Sequence, residues 1–228
     1  MKKNILLFSA VIIFTLVFML GLYSCGSVPV KKSVTPAPNI TCDEKADEAM
    51  KEKRYEKSVV LHEFFTKENP DNGLAMYHMG YSYGQLGDRE NEVKYYEDAI
   101  NHGFYGYSIF FNLGMVYGEM GRFEDSVRIF KKAIEIEPDR ADNHFGLALA
   151  YQRMSDYELA ENEFKNAVKL DPDDIDSIFF LGVCYSETGR IDEANKQLEK
   201  IIEIDPESDM ALKLRLILEN KSKDNTGN

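Results

Sequence analysis

One pattern of residue types returns along this chain at a fixed step of about 34 residues. A small side chain recurs at Ala46, Gly80, Gly114, Ala148 and Gly182. A tyrosine follows three residues after most of these, at Tyr83, Tyr117, Tyr151 and Tyr185. A proline closes most blocks, at Pro70, Pro138, Pro172 and Pro206. A period of this length predicts a stack of similar helical units, each of which buries its apolar face only against its neighbours.

The block 107–140 shows the pattern most completely. Its characteristic residues are Leu113, Gly114, Tyr117, Gly121, Phe123, Ser126, Phe130, Ala133 and Pro138. This pattern resembles the tetratricopeptide repeat, in which each block consists of two antiparallel helices. The resemblance implies an all-α fold: a right-handed α-α superhelix, or solenoid, of about five helix pairs plus a C-terminal capping helix.

The repeat domain is predicted to span residues 42–219. Its blocks are 39–72, 73–106, 107–140, 141–174 and 175–208, followed by a single helix from Asp209 to Glu219. The first block is weak, because Lys45 and Ala49 stand where the pattern expects Leu and Tyr, and this suits a terminal capping repeat. The polar residues 220–228 are predicted to form a disordered tail.

The recurring small residues and glycines have physical reasons. Only a small side chain lets two helices approach closely, which explains positions such as Gly80 and Gly114. Gly87, Gly121 and Gly189 follow the first helix of their blocks. A glycine there is typical of a left-handed cap that ends a helix. The sequence thus predicts where each helix pair turns.

The chain begins with a predicted signal peptide, residues 1–24. Lys2 and Lys3 precede an apolar run from residue 5 to residue 22, and small residues follow it. The end of this segment resembles the lipobox of bacterial lipoproteins, with Leu22 and Ser24 before Cys25, although Tyr23 departs from the usual small residue. The resemblance implies lipidation, for example with palmitate, at Cys25.

Residues 25–41 are predicted to be the lipidated cysteine and a proline-rich linker. The residue after the cysteine, Gly26, does not look like an inner-membrane retention signal. We therefore expect an exported protein, lipid-anchored in the cell envelope, at the outer membrane and facing the periplasm. The alternative is that the apolar run is not cleaved and stays as a single-pass membrane anchor.

The net charge of the full sequence is −12, with 39 acidic and 27 basic residues. Such a chain is repelled by nucleic acid, so we expect none as a partner. The histidines (His62, His78, His102 and His144) and the cysteines Cys42 and Cys184 show no local metal-ligand spacing. Catalytic and nucleotide-binding motifs are also absent from the sequence. We therefore expect no enzyme activity, no cofactor and no metal.

The tetratricopeptide resemblance implies a concave trough, lined by the first helix of each block. The positions that match the family's binding surface are Tyr77, Tyr81, Phe111, Met115, Phe145, Leu149, Phe179 and Val183. The two positions on each helix are four residues apart, so they lie on one face of that helix. The trough is a candidate groove for an apolar or amphipathic protein segment. Two alternatives remain: the aromatic rings pack within their own repeats, or a second copy of the chain covers the trough.

These features predict a membrane-anchored adaptor or scaffold for protein–protein interactions. It resembles the envelope lipoproteins that carry such repeats and assist the assembly of pilus, secretion, outer-membrane or cell-wall machinery. The alternative functions are a self-associating structural lipoprotein and an uncleaved, single-pass anchored repeat protein. An enzyme or small-ligand binder would need a polar cluster that converges in the trough, and the repeat positions show none.

Overall fold

Eleven α-helices and no β-strand make up residues 41–226, the part of the chain that the computed structural model describes. The helices are α1 (Glu44–Lys51), α2 (Tyr55–Glu68), α3 (Gly73–Gln85), α4 (Arg89–Asn101), α5 (Tyr107–Glu119), α6 (Phe123–Ile136), α7 (Ala141–Arg153), α8 (Tyr157–Leu170), α9 (Ile175–Glu187), α10 (Ile191–Ile204) and α11 (Asp209–Thr226). None of these helices has both the length and the apolar character that a membrane span requires. The predicted signal peptide, Cys25 and the linker up to residue 40 lie outside the described residues.

Helices α1 to α10 form five successive pairs, and α11 follows them. Each helix packs against the next one along the chain. First helices of neighbouring pairs also touch, as α1 does with α3, α5 with α7, and the fifth pair's α9 with α11. This arrangement confirms the all-α solenoid of five helix pairs and a capping helix, with helix boundaries that fall inside the predicted blocks.

A residue in the left-handed region separates the two helices of every pair. Gly87, Gly121 and Gly189 have φ values of 81°, 73° and 77°, which confirms the predicted turns. Lys53 and Ser155 hold the same position in the first and fourth pairs, with φ values of 59° and 62°. A side chain with a Cβ atom costs about 1 kcal/mol in this conformation, so three of the five turns use the less strained residue.

The ring of Phe130 on α6 joins two consecutive helix pairs. Phe130 is only 1% exposed. A Cβ atom at Gly114, in the same pair, would lie 2.7 Å from the Phe130 ring, and a Cβ atom at Gly146 in the next pair would lie closer still. Gly80 accommodates the Tyr96 ring in the same way, at 2.6 Å. At Gly80 and Gly114 the small residue of the repeat therefore gives space to an aromatic ring of the second helix, and at Gly182 it gives space to Leu214 of α11.

The last helix is longer than the sequence predicts. It begins at Asp209 as expected but runs to Thr226, so most of the segment 220–228 is helical where a disordered tail was expected. Lys221 Nζ lies 3.0 Å from Glu187 Oε2 at the end of α9. This surface ion pair connects the C-terminal part of α11 to the preceding repeat.

We expect Gly146→Ala to lower the free energy of unfolding by about 1–3 kcal/mol, because the new methyl group overlaps the buried Phe130 ring. The matched control is Gly118→Ala, also in a first helix. Its Cβ atom would meet only Ser126 Oγ at 3.7 Å, so the gain in helix propensity should stabilise the fold by about 0.5–1 kcal/mol. Urea denaturation followed by circular dichroism measures both. Equal effects of the two substitutions would contradict this role of Phe130.

Candidate functional site

Three aromatic side chains of the predicted trough pack inside their own repeats. The ring-centroid distances are 5.7 Å for Tyr77–Tyr96, 6.1 Å for Phe111–Phe130 and 5.8 Å for Phe145–Phe164. In each pair a ring on the first helix contacts a ring on the second helix. These contacts favour the alternative that the aromatic rings pack within the repeat, although Phe145 also contacts Phe180 of the next repeat at 5.8 Å, and they leave each ring only partly available to a ligand.

The clearest candidate site is a hollow of about 400 Å³ between the third, fourth and fifth helix pairs. Its apolar walls include Met115 and Leu149, two of the predicted trough residues, and also Phe180. Glycine backbone forms much of the rest, at Gly114, Gly118, Gly121 and Gly146. The exposed residues Glu119 and Arg153 lie where this hollow meets solvent. We call it the glycine-lined hollow.

Gly118 and Gly121 leave space open in the glycine-lined hollow, whereas Gly114 and Gly146 give their space to the Phe130 ring. A Cβ atom at Gly121 would have no neighbour within 4 Å. At its mouth, Glu119 pairs with Arg89, whose Nη2 lies 2.6 Å from Glu119 Oε2. Arg89 also pairs with the buried Glu92 at 2.6 Å, and burial raises the pKa of that carboxyl above its ordinary value despite the guanidinium. The site thus combines an apolar interior with a charged rim.

A second hollow, of about 310 Å³, lies at the N-terminal end of the stack. Tyr77 and Tyr81 line it together with Tyr55, whose ring centroid lies 6.3 Å from that of Tyr81. The other predicted trough residues, Phe111, Phe145, Phe179 and Val183, line neither hollow. Phe179 is only 8% exposed. Four of the predicted trough residues thus line one hollow or the other, Phe179 lies in the core, and Phe111, Phe145 and Val183 are half-buried against the core.

The sequence analysis misses Phe180 because the residue occupies no binding position of the repeat. A step of one residue turns a helix face by about 100°. Phe180 therefore reaches a different set of rings from Phe179: its ring touches the edge of Phe179 at 5.1 Å and also contacts Phe145 and Phe164, at ring-centroid distances of 5.8 Å each. The signal in the sequence is indirect: an aromatic residue occurs where the preceding block has Gly146 and leaves space.

Polar side chains converge beside the second hollow, which the repeat positions did not indicate. Asp47 Oδ1 lies 2.8 Å from His78 Nδ1 and 3.2 Å from His62 Nε2. The two ring nitrogens are 3.3 Å apart. Burial lowers the pKa of His78, although the nearby Asp47 opposes that change. When His78 Nδ1 carries a proton, it can donate that proton to the Asp47 carboxylate.

Cys42 completes this group of side chains. Its sulfur lies within 4.8 Å of the ligand atoms of Asp47, His62 and His78. Burial, and next the charge of Asp47, raise the pKa of the Cys42 thiol to about 12, so the thiol keeps its proton at neutral pH in this structure. Because the four residues lie on three helices and one preceding segment, no local spacing in the sequence could reveal them.

Bonds between repeats hold the trough in shape. Tyr83 OH donates to Glu63 Oε1 of the preceding repeat at 3.2 Å, and burial with this acceptor raises the pKa of Tyr83 to about 12. Further along the stack, Arg190 Nη1 donates to Glu161 Oε1 at 3.1 Å. Hydrogen bonding from Arg190 is the first cause of the lowered pKa of the Glu161 carboxyl. Such contacts join neighbouring repeats on either side of the hollows.

Comparison with known proteins identifies the repeat. Three family models described as tetratricopeptide repeat match residues 74–101, 107–173 and 151–216. The chain is thus a tetratricopeptide-repeat protein over residues 74–101 and 107–216. No curated protein matches the sequence.

Solved structures share the fold at low sequence identity. The crystal structure of YrrB, described as a TPR protein with an unusual peptide-binding site, has a TM-score of 0.68 and 19% identity, and the match covers 75% of this chain and 88% of YrrB. A crystal structure of MamA has a TM-score of 0.68 and 18% identity, over 71% of this chain and 94% of MamA. MamA from Desulfovibrio magneticus RS-1, residue 41 to the end, also has a TM-score of 0.68 and 18% identity, over 72% of this chain and 93% of that one. These similarities concern the fold, and they support the helical solenoid.

Proposed function

We propose that this protein is an interaction scaffold that binds a partner protein through a peptide segment in its trough. The observation that carries the proposal is the glycine-lined hollow. Its volume of about 400 Å³ falls within the range of about 300–1,000 Å³ that is common for ligand sites. We infer that one large apolar side chain of the partner enters this hollow and anchors the segment.

The lining of the glycine-lined hollow suits an anchor of this kind. Met115, Leu149 and Phe180 offer apolar contact area, and a methionine adapts its shape to different partners. The glycines let the partner's backbone approach the helices closely. Glu119 and Arg153 at the mouth can each pair with a charge that flanks the anchor. The net charge of −12 favours a neutral or basic segment over an acidic one.

The comparison with YrrB supports this proposal. YrrB shares the fold at a TM-score of 0.68 and is described as having an unusual peptide-binding site. A stack of helix pairs also offers an extended surface rather than an enclosed reaction chamber. We therefore place the function in recognition, with protein or peptide segments as the partners.

We further propose that the scaffold acts in the cell envelope. Support comes from the predicted signal peptide 1–24 and from the lipobox resemblance that ends at Cys25. The three prolines of the linker 26–41 favour extended polyproline geometry, which would give the repeat domain a reach of about 50 Å from the membrane. In this proposal the protein is lipid-anchored, at the outer membrane and facing the periplasm, and assists the assembly of envelope machinery.

Self-association is the second candidate function, and exposed apolar pairs near the two ends of the stack favour it. Val60 and Phe64 on α2 are 63% and 65% exposed, and Leu212 and Leu216 on α11 are 53% and 50% exposed. In each pair the residues are four apart and share one helix face. A second copy of the chain could cover these faces, and light scattering of the purified chain distinguishes a dimer from a monomer.

Substitution of Gly118 tests the glycine-lined hollow without touching the core. We expect Gly118→Leu to fill the hollow and to weaken the binding of an anchored peptide by about 10- to 100-fold, which corresponds to about 1.5–3 kcal/mol for one apolar side chain. The peptides are obtained by selecting a displayed random library on the immobilised chain, and calorimetry measures their affinity. Gly118→Ala is the matched control, since one methyl group leaves most of the volume open.

The selected peptides are expected to share one large apolar residue, and both variants are expected to keep the circular dichroism spectrum of the parent chain. If folded Gly118→Leu binds the peptides as tightly as Gly118→Ala does, the glycine-lined hollow is not the binding site. Selection of peptides without any apolar anchor would contradict the proposal in the same way.

The lipid anchor has a separate test at Cys25. In cells that express the full chain, we expect labelled palmitate to enter the protein and the protein to fractionate with membranes. Cys25→Ser should abolish the label, because the thiol is the acceptor. Cys184→Ser, which changes another of the three cysteines, is the control and should keep the label. An unlabelled chain that stays in the membrane with its leader attached would establish the uncleaved single-pass anchor instead.

A further inference from the structure

We propose that Cys42, Asp47, His62 and His78 bind one Zn²⁺ ion at the N-terminal end of the repeat stack. Each of the four side chains offers one ligand atom, and these atoms lie within 4.8 Å of one another. One sulfur, two imidazole nitrogens and one carboxylate oxygen form a set that four-coordinate zinc accepts. This site is distinct from the glycine-lined hollow and would stand even if the peptide proposal failed.

The separations between the four atoms are close to those of a tetrahedral site. Zinc bonds of about 2.0–2.3 Å place neighbouring ligand atoms about 3.3–3.8 Å apart. Asp47 Oδ1 lies 2.8 Å from His78 Nδ1 and 3.2 Å from His62 Nε2, and the two nitrogens are 3.3 Å apart. The upper limit of 4.8 Å for the whole set exceeds the tetrahedral separation by about 1 Å. Small side-chain rotations therefore suffice to form the site.

The hydrogen bonds of His62 prepare it as a ligand. His62 Nδ1 lies 2.9 Å from the carbonyl oxygen of Ser58. Because a carbonyl can only accept, Nδ1 carries the proton, and in the neutral ring the lone pair is on Nε2. That lone pair points at the Asp47 carboxylate and at His78 Nδ1. A metal-bound histidine commonly donates its other N–H to a backbone carbonyl in this way.

The close approach of three ligand atoms also favours a cation. His62 Nε2, Asp47 Oδ1 and His78 Nδ1 all lie within 3.3 Å of one another, and the side chain of His62 is fully buried. A bound Zn²⁺ would accept an electron pair from each atom, with His78 carrying its proton on Nε2 and the Cys42 thiol proton released to solvent.

At the repeat positions of His62 and Asp47, the other blocks have apolar side chains that pack in the stack. At successive repeat steps from His62 stand Tyr96, Phe130, Phe164 and Leu198. At the same steps from Asp47 stand Tyr81, Met115, Leu149 and Val183. The first block therefore places polar groups where the other four blocks place apolar ones. Buried polar groups cost free energy unless a partner compensates them, and a metal ion is a partner that fits both.

The chemistry of the four ligand groups favours Zn²⁺ in a structural role. A thiolate with imidazoles suits zinc and does not suit Mg²⁺ or Ca²⁺, which prefer oxygen ligands. Four protein ligands leave no open coordination position, as in structural rather than catalytic zinc sites. Cys42 precedes α1, Asp47 lies on α1, His62 on α2 and His78 on α3. One ion would therefore fasten the first helix pair to the second.

A zinc ion at this position would stabilise the N-terminal end of the stack. The first helix, α1, has only 8 residues and begins the described part of the repeat stack. The second hollow lies directly beside the site, because His78 lines it together with Tyr77 and Tyr81. Zinc would hold α1, α2 and α3 together and so keep both this end of the stack and the neighbouring hollow in shape.

Cobalt substitution provides the test. The full chain, purified without a polyhistidine tag and stripped with a chelator, is titrated with Zn²⁺ alone and with Co²⁺ alone. We expect one equivalent of either ion to bind, and Zn²⁺ to raise the melting temperature. We also expect Co²⁺ to give the visible absorption of tetrahedral coordination together with the ultraviolet charge-transfer band of a cobalt–thiolate bond.

Substitutions assign the ligands. Cys42→Ser should remove the charge-transfer band. His78→Gln should weaken Zn²⁺ binding by about 100-fold or more. Loss of a group that only hydrogen-bonds to a metal ligand typically costs roughly 10- to 100-fold in affinity, and loss of a ligand itself should cost more. The controls are Cys25→Ser, Cys184→Ser and His102→Gln, which should leave both quantities unchanged. Circular dichroism without metal verifies that Cys42→Ser and His78→Gln fold.

Three results would overturn the proposal. The first is the absence of stoichiometric Zn²⁺ binding to the unmodified chain. The second is a cobalt complex with no thiolate band, because Cys42 would then not be a ligand. The third is binding that survives both Cys42→Ser and His78→Gln, because the ion would then occupy another site.

Discussion

The rest of the stack depends on one contact, in which the ring of Phe130 packs against glycines of two successive helix pairs. Gly114 and Gly146 both face the ring, with no room for a methyl group at either. The same two glycines line the hollow of about 400 Å³. The ring that joins the repeats therefore also forms part of the wall of the opening that we assign to a partner's side chain. Because these residues serve both stability and recognition, a substitution that tests binding must not overlap the Phe130 ring.

Much of the fold could be predicted because its determinants are local. The repeat step, the small residue at Gly114 and the turn at Gly121 each depend on neighbouring positions, and the observed helices α5 and α6 fall inside the predicted block 107–140. The end of α11 could not be predicted in this way. Its C-terminal part is connected to the preceding repeat by Lys221 and Glu187, which lie a full repeat apart in the sequence.

The candidate sites were harder to predict because they depend on which way side chains point after packing. The family's binding positions identified Met115 and Leu149 in the glycine-lined hollow, but Phe111 and Phe145 turn toward second-helix rings of their own repeats. In the sequence, the first block is recognisable only as a weak match to the repeat pattern at the end of the stack. In the structure its departures from the pattern bring His62 and the other three polar side chains within 4.8 Å of one another.

Methionine methyl NMR with a selected peptide would test the central claim, that the glycine-lined hollow takes an apolar side chain of the partner. The methionines are separate probes along the stack: Met115 lines this hollow, Met50 lines the second hollow, and Met210 lies on α11. We expect the peptide to shift the Met115 methyl resonance most, with contacts from the peptide's apolar residue, and to leave Met210 unchanged. A largest shift at Met50 or Met210, with Met115 unaffected, would contradict the account.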